Sequence, residues 1–212
     1  ILINFLVNAK SFYICPMILP ILSYGSPLLR KECDEFEQGE SLKELVFDMF
    51  ETMYGASGVG LAGPQIGISK RIFTVDASPF AELEEGEELD EKLKELKDFK
   101  KVFVNPIIDN ETGTSWPFSE GCLSIPGIRE DVERKEVIKI SYFDENWNFF
   151  EESYQGIAAR IIQHEYDHIE GILFTDHLNP LKKRLIKRKL EEISKGKVEV
   201  NYKMKFHKKW KI

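Results

Sequence analysis

The strongest structural signal in this chain is GIAARIIQHEYDHIE, residues 156–170. Its apolar residues recur at intervals of three and four, which predicts an amphipathic helix. His164 and His168 are four positions apart, slightly more than one helical turn, so both imidazoles project from the same face. Ile157 and Ile161 extend that face backwards, which indicates that the histidines point towards the core rather than towards water.

The two histidines and the glutamate between them form the pattern His-Glu-x-x-His. Two imidazoles at this spacing can bind one divalent metal ion, and Glu165 can move the protons of a water molecule beside it. The pattern therefore predicts a metal-dependent hydrolase. The alternative is a polar helix face that carries two histidines with no ligand.

A catalytic site of this type needs a third protein ligand. The zinc-protease extension would place a histidine where this chain has Phe174. Cys122, in the glycine-containing segment 119–126 (SEGCLSIP), is the better candidate, although a single cysteine is more often a small buried apolar residue. Spacing alone leaves four other ligands open: Asp176, His177, Glu191 and Glu192.

The composition indicates one globular domain, since 212 residues with 42% hydrophobic content can bury a sizeable core. No apolar run is long enough to span a bilayer, so we expect no membrane partner. Three cysteines without short paired spacing do not indicate a disulfide framework, and they favour a reducing, cytoplasmic compartment.

The sequence suggests three regions. Residues 1–16 lack a basic segment and a cleavage site, and we expect a non-native or disordered N-terminal extension. Residues 17–180 form the expected catalytic domain, with an exposed acidic insertion at about 81–98 that is partly helical or disordered. Residues 181–212 form a basic helix and tail with thirteen Lys or Arg and three Glu, a net charge of +10. Because the net charge of the whole chain is −7, residues 1–180 carry a net charge of −17. Such a basic end can meet nucleic acid or be a solvated helix face.

The periodicities favour an α+β fold, with antiparallel sheets surrounding a central metal-binding helix and with a C-terminal helix. A helix is expected over 41–54, with a capping box at Ser41 and Glu44. Asp, Asn and Gly over 109–113 predict a turn. Residues 137–143 and 149–154 predict a hairpin.

Three segments resemble, in order and spacing, the signature motifs of the peptide deformylases: GVGLAGPQ at 58–65, EGCLS at 120–124 and QHEYDH at 163–168. The resemblance covers about residues 17–180. One departure is Gly63, where the usual pattern has alanine, a difference of one methyl group.

The resemblance implies that Cys122, His164 and His168 bind a divalent metal, with Fe²⁺ favoured in cells and Zn²⁺, Ni²⁺ or Co²⁺ able to substitute. It implies that the substrate is the N-formyl group on the first methionine of a new polypeptide, and that the products are formate and a free amino terminus. Glu165 would then transfer the proton.

We also expect the Gln65 side chain and the Leu123 backbone N–H to donate to the oxyanion. The expected substrate-binding residues are Val59, Gly60, Glu120, Gly121, Ile157 and Ile161. The basic end suggests docking to ribosomal RNA, and deletion of 182–212 is expected to weaken that docking without affecting peptide turnover.

Two other functions stay open at this point. A zinc endopeptidase would use the same two histidines with a downstream third ligand and would tolerate loss of Cys122. A nucleic-acid-binding module with a vestigial site would bind RNA and carry no stoichiometric metal, but the negative charge of residues 1–180 argues against it.

Overall fold

The computed structural model describes residues 17–81 and 91–207. Within them the chain forms seven strands, four α-helices and four short 3₁₀ segments, the latter at Pro27–Arg30, Gly63–Ile66, Ser78–Ala81 and Phe174–Asp176. The strands and helices are, in chain order, β1 (Ile21–Leu22), α1 (Lys43–Gly55), β2 (Gly60–Ala62), β3 (Ile72–Asp76), α2 (Glu91–Lys94), β4 (Lys100–Cys122), β5 (Ile125–Phe143), β6 (Phe149–Gln155), α3 (Gly156–Ile169), α4 (Pro180–Ser194) and β7 (Met204–Lys205). No helix of these ranges is both long and apolar enough to cross a membrane.

Five of the strands form an antiparallel sheet in the order β2-β3-β4-β5-β6. Alternate residues of its strands face opposite sides. On one side Phe73 and Phe103 pack with residues of α3, and on the other Ile72 and Val104 pack with residues of α1. The α+β class is thus confirmed, and the helix with the two histidines lies against the sheet.

The long β4–β5 hairpin places Cys122 near α3. The two strands pair over most of their length, with register shifts that bend the hairpin, and its closing connection contains Leu123 and Ser124. The adjacent β5–β6 hairpin agrees with the predicted one. β6 ends at Gln155 and α3 begins at the next residue, Gly156, whose φ of +61° turns the chain from the sheet into the helix.

The C-terminal helix α4 packs against β5 and the segment that follows α3. Its apolar face contributes Ile186, Leu190 and Ile193 to a third core cluster. The chain then returns, and β7 pairs in parallel with β1. The end of the described chain therefore contacts its beginning.

Three local expectations differ from the structure. Residues 109–113 lie inside β4, not in a turn, because pairing with β5 continues across them through bulges. Helix α1 begins at Lys43 with no side-chain cap, so the predicted capping box is absent. The acidic insertion is not wholly exposed, because Leu96 is buried in the core; residues 82–90 of the insertion, like the extension at 1–16, lie outside the described residues.

Candidate active site

Three potential metal ligands converge at the end of the β4–β5 hairpin. Helix α3 presents His164 and His168 with ring centroids 5.1 Å apart. Cys122, the last residue of β4, places its Sγ 3.2 Å from Nε2 of His168. One ligand atom from each of the three lies within 4.8 Å of the others, and no other such group of three occurs among residues 17–81 and 91–207.

The other sequence candidates for a third ligand lie elsewhere. His177 bonds the Asp167 carboxylate at 2.7 Å, and Asp176 pairs with Arg30. Glu191 and Glu192 lie on α4, where they form ion pairs with basic residues of that helix or its end. None of the four belongs to the cluster formed by Cys122 and the two histidines.

The electrostatics of this cluster suit a divalent cation. Burial alone would raise the pKa of the Cys122 thiol, but the neighbouring His168 and His164 lower it to about 5. Burial would likewise lower the pKa of His164, yet Cys122 and Glu120 hold it well above its ordinary value. The cluster therefore stabilises a thiolate and favours positive charge beside it, as a soft thiolate–imidazole metal site does.

A buried ion-pair network orients the first histidine. Nδ1 of His164 lies 2.9 Å from Glu120, and this bond leaves Nε2 as the nitrogen for a metal. Arg134 donates to both carboxylate oxygens of Glu120 at 2.7 and 3.0 Å, and Arg160 donates at 3.2 Å. Burial would raise the pKa of Glu120, but His164 and Arg134 hold it far below its usual range.

Glu165 is a second buried carboxylate of the site. It is 4% exposed, and its Oε2 has no hydrogen-bond partner among the described residues. Burial raises its pKa to about 7, against the opposing charges of His164 and His168. The backbone of Gly60 lies so close that an added Cβ would stand 2.7 Å from Cγ and Cδ of Glu165. Glycine is therefore required at position 60 for the carboxylate to occupy its place.

The side chain of Gln65 also approaches Cys122. Its Oε1 accepts a hydrogen bond from the Ala62 N–H at 2.7 Å, which fixes the amide. Its Nε2 then lies 3.5 Å from Sγ of Cys122 and 3.4 Å from Oγ of Ser124. The side-chain N–H₂ is thus directed towards the group formed by Cys122, His164 and His168.

A cavity of ≈450 Å³ opens onto these groups. Of the twelve site residues expected from the sequence, ten line it: Val59, Gly60, Gln65, Glu120, Gly121, Cys122, Leu123, Ile161, His164 and Glu165. His168 lies beside it, in the group with Cys122 and His164 that could hold a metal ion. The structure does not bring Ile157 to this cavity; Ile157 lines a separate one with Trp116 and Tyr154. Glu120 borders the cavity, but its carboxylate is already bonded to Arg134, Arg160 and His164.

Several residues of the site were not expected from the sequence. Arg160 is 1% exposed, and its guanidinium lies 4.4 Å from the Trp116 ring centroid. The sequence did contain an indication of this, because an arginine among the apolar residues of a core-facing helix needs a buried partner for its charge. Tyr202 also lines the cavity, with no signal in its local sequence.

Comparisons with known proteins agree on one family. The family model for polypeptide deformylase matches residues 18–184. A peptide deformylase of Christiangramia forsetii is 58% identical over 191 residues, which is 90% of this chain and 96% of the relative. One of Flavobacterium psychrophilum is 52% identical over 190 residues, 89% and 97% of the two chains. The crystal structure of a peptide deformylase from Legionella pneumophila is similar at a TM-score of 0.69 and 38% identity, covering 85% of this chain and 98% of that one.

Proposed function

Because this chain belongs to the peptide deformylase family, we propose that Cys122, His164 and His168 hold its metal and that Glu165 transfers the proton during deformylation. The chain is a hydrolase that removes the formyl group from the N-terminal formyl-methionine of new polypeptides and releases formate. The convergence of one thiolate and two imidazoles beside a buried carboxylate carries the assignment of residues.

The donor set supports a first-row divalent metal. One thiolate and two imidazoles suit Fe²⁺, Zn²⁺, Ni²⁺ or Co²⁺, and we propose Fe²⁺ as the ion used in the cell. When bound, such an ion supplies Lewis acidity towards the formyl oxygen and makes a water molecule more acidic. Its preference for a deprotonated sulfur agrees with the lowered pKa of Cys122.

Glu165 moves one proton through the reaction. Its carboxylate accepts a proton from the water whose oxygen attacks the formyl carbon. The same proton is then delivered to the leaving nitrogen as the C–N bond breaks, giving a free amine and formic acid, which loses its proton to solvent and leaves as formate. Burial raises the pKa of this carboxyl group, which helps it to hold the proton between the two transfers.

Two donors stabilise the charge that develops on the formyl oxygen. The Gln65 amide is held by Ala62 and directed at the cluster. The backbone N–H of Leu123, the residue after the cysteine ligand, is the second donor. Donors fixed before the reaction stabilise the transition state without a cost of reorientation.

The cavity favours the smallest acyl group. Gly60 lies close to Glu165, and Val59, Gly121 and Ile161 also line the cavity. We propose that these residues form the wall beside the formyl carbon. An acetyl group would add one methyl at this wall, which discriminates by about 1–3 kcal/mol.

Metal analysis combined with formate release tests this function. Protein purified without oxygen should contain stoichiometric metal, mainly iron, and should release formate from a formyl-Met peptide. The matched acetyl-Met peptide should react at least about tenfold more slowly. Metal-free protein that still releases formate, or metal-loaded protein that does not, would contradict the proposal.

We further propose that α4 docks the enzyme to ribosomal RNA. Arg184, Lys187 and Lys189 are exposed on this helix, as are the apolar side chains of Leu181 and Leu185 at 67% and 72%. Exposed cations can neutralise RNA phosphates. Deletion of 182–212 is not a clean test, because α4 also buries apolar side chains in the core.

Charge removal gives the cleaner test of docking. The double variant R184Q/K187Q should bind ribosomes more weakly, and the slope of log affinity against log salt should fall by about two. Formate release should be unchanged, because both side chains lie on the outer face of α4. K43Q/K97Q removes two exposed charges elsewhere and serves as the matched control. Equal binding by both variants would exclude α4 as the docking surface.

A further inference from the structure

The chain beyond α4 returns to the active site. β7 pairs with β1, and the N–H groups of Ile21 and Ser23 donate to the carbonyls of Lys203 and Lys205 at 2.9 and 3.0 Å. This pairing fixes the tail against the start of the described chain. The residue just before the paired segment is Tyr202, which forms part of the cavity wall.

The connection between β4 and β5 is held at both of its carbonyl groups. The Tyr202 hydroxyl donates to the Leu123 carbonyl at 2.7 Å. The backbone N–H of Tyr24 donates to the Ser124 carbonyl at 2.8 Å. The Leu123 N–H belongs to the peptide just before the bonded Leu123 carbonyl, so holding the two carbonyls limits rotation of the residue that carries this N–H.

We propose that Tyr202 is a positioning residue for deformylation: its hydroxyl fixes the connection that carries Leu123, and its ring closes one wall of the substrate cavity. This inference rests on the proposed role of the Leu123 N–H as a donor to the formyl oxygen. The tail after α4 is then part of the catalytic unit as well as a structural extension.

The contacts of Tyr202 distinguish this role from ordinary packing. Its ring packs against the second core cluster and borders the cavity, and phenylalanine would make the same contacts. The hydroxyl adds one specific bond, directed at a backbone carbonyl in the connection between β4 and β5. Loss of that bond alone should change the rate of the chemical step more than the binding of the peptide.

Steady-state kinetics with a formyl-Met peptide test the proposal. Y202F should lower kcat by about fivefold, the equivalent of one ordinary hydrogen bond, and leave KM within about twofold of wild type. Y202A should lower kcat similarly and also raise KM, because it removes the cavity wall. N201A changes the exposed neighbouring side chain in the same tail and should behave as wild type.

Two readouts separate positioning from stability. Rates are expressed per mole of bound metal, which removes any contribution from unfolded protein. Hydrogen exchange of the amides at 122–125 should be faster in Y202F than in wild type. A kcat within twofold of wild type, or unchanged exchange at 122–125, would overturn the proposal even if the melting temperature falls. Wild-type protein that released no formate would instead refute the proposed function.

Discussion

Replacement of Glu165 by glutamine should lower kcat for formate release by about 10³-fold while leaving the metal bound. Glutamine has nearly the same shape as glutamate, so it can occupy the space beside Gly60. Its amide, however, cannot accept the water proton and return it to the leaving nitrogen. Catalysis by a positioned acid–base group contributes about 10²–10⁴-fold, and this residue provides the buried carboxylate for that role.

The measurement requires the metal content of each preparation. E165Q and wild type should carry equal metal, because Glu165 is not a proposed ligand. E151Q removes an exposed carboxylate whose ion pair with Lys139 contributes little to stability, and it should retain full activity. If metal-loaded E165Q kept more than a tenth of the wild-type rate, the proton-transfer role would be rejected.

The sequence predicted the helix and its two histidines because both depend on local spacing. Apolar residues at intervals of three and four indicate a buried helix face, whatever the rest of the chain packs against it. The β5–β6 hairpin was likewise visible from two apolar runs and an intervening turn. These features require no knowledge of distant partners.

Tertiary pairing overrode local composition elsewhere. Residues 109–113 have the composition of a turn, but β5 pairs across them and draws them into β4. The sequence also did not reveal that the backbone of another segment lies against Gly63. Its added Cβ would lie 2.9 Å from the carbonyl oxygen of Lys70, so the difference from alanine is more than a missing methyl.

The rest of the site depends on contacts between distant segments. Cys122 could be joined to the histidines only through the resemblance of three motifs, because no spacing rule links it to residues about forty positions later. Tyr202 reaches Leu123 across 79 positions of sequence, by way of a two-stranded pairing too short to predict. Glu120 is predicted to contact the substrate, and the structure adds that its carboxylate bonds to Arg134, Arg160 and His164, contacts that no local pattern indicates.

Replacement of Cys122 by alanine should abolish formate release by removing the metal. Only two imidazoles would remain, and helix spacing alone does not complete a three-ligand site. Even loss of groups that merely orient ligands lowers metal affinity by about 10–100-fold, so loss of a ligand should lower it by more than about 100-fold. Dialysed C122A should therefore contain little metal and show almost no activity.

Cys33 provides the matched control for this experiment. It is the other free thiol among the described residues, 5% exposed, and it packs in the core without belonging to the group formed by Cys122, His164 and His168. C33A should lose some stability through a small cavity but retain metal and turnover. An endopeptidase with a downstream ligand would show the opposite result, with stoichiometric metal in C122A. That outcome would exclude Cys122 as a metal ligand and would require a different third ligand beside His164 and His168.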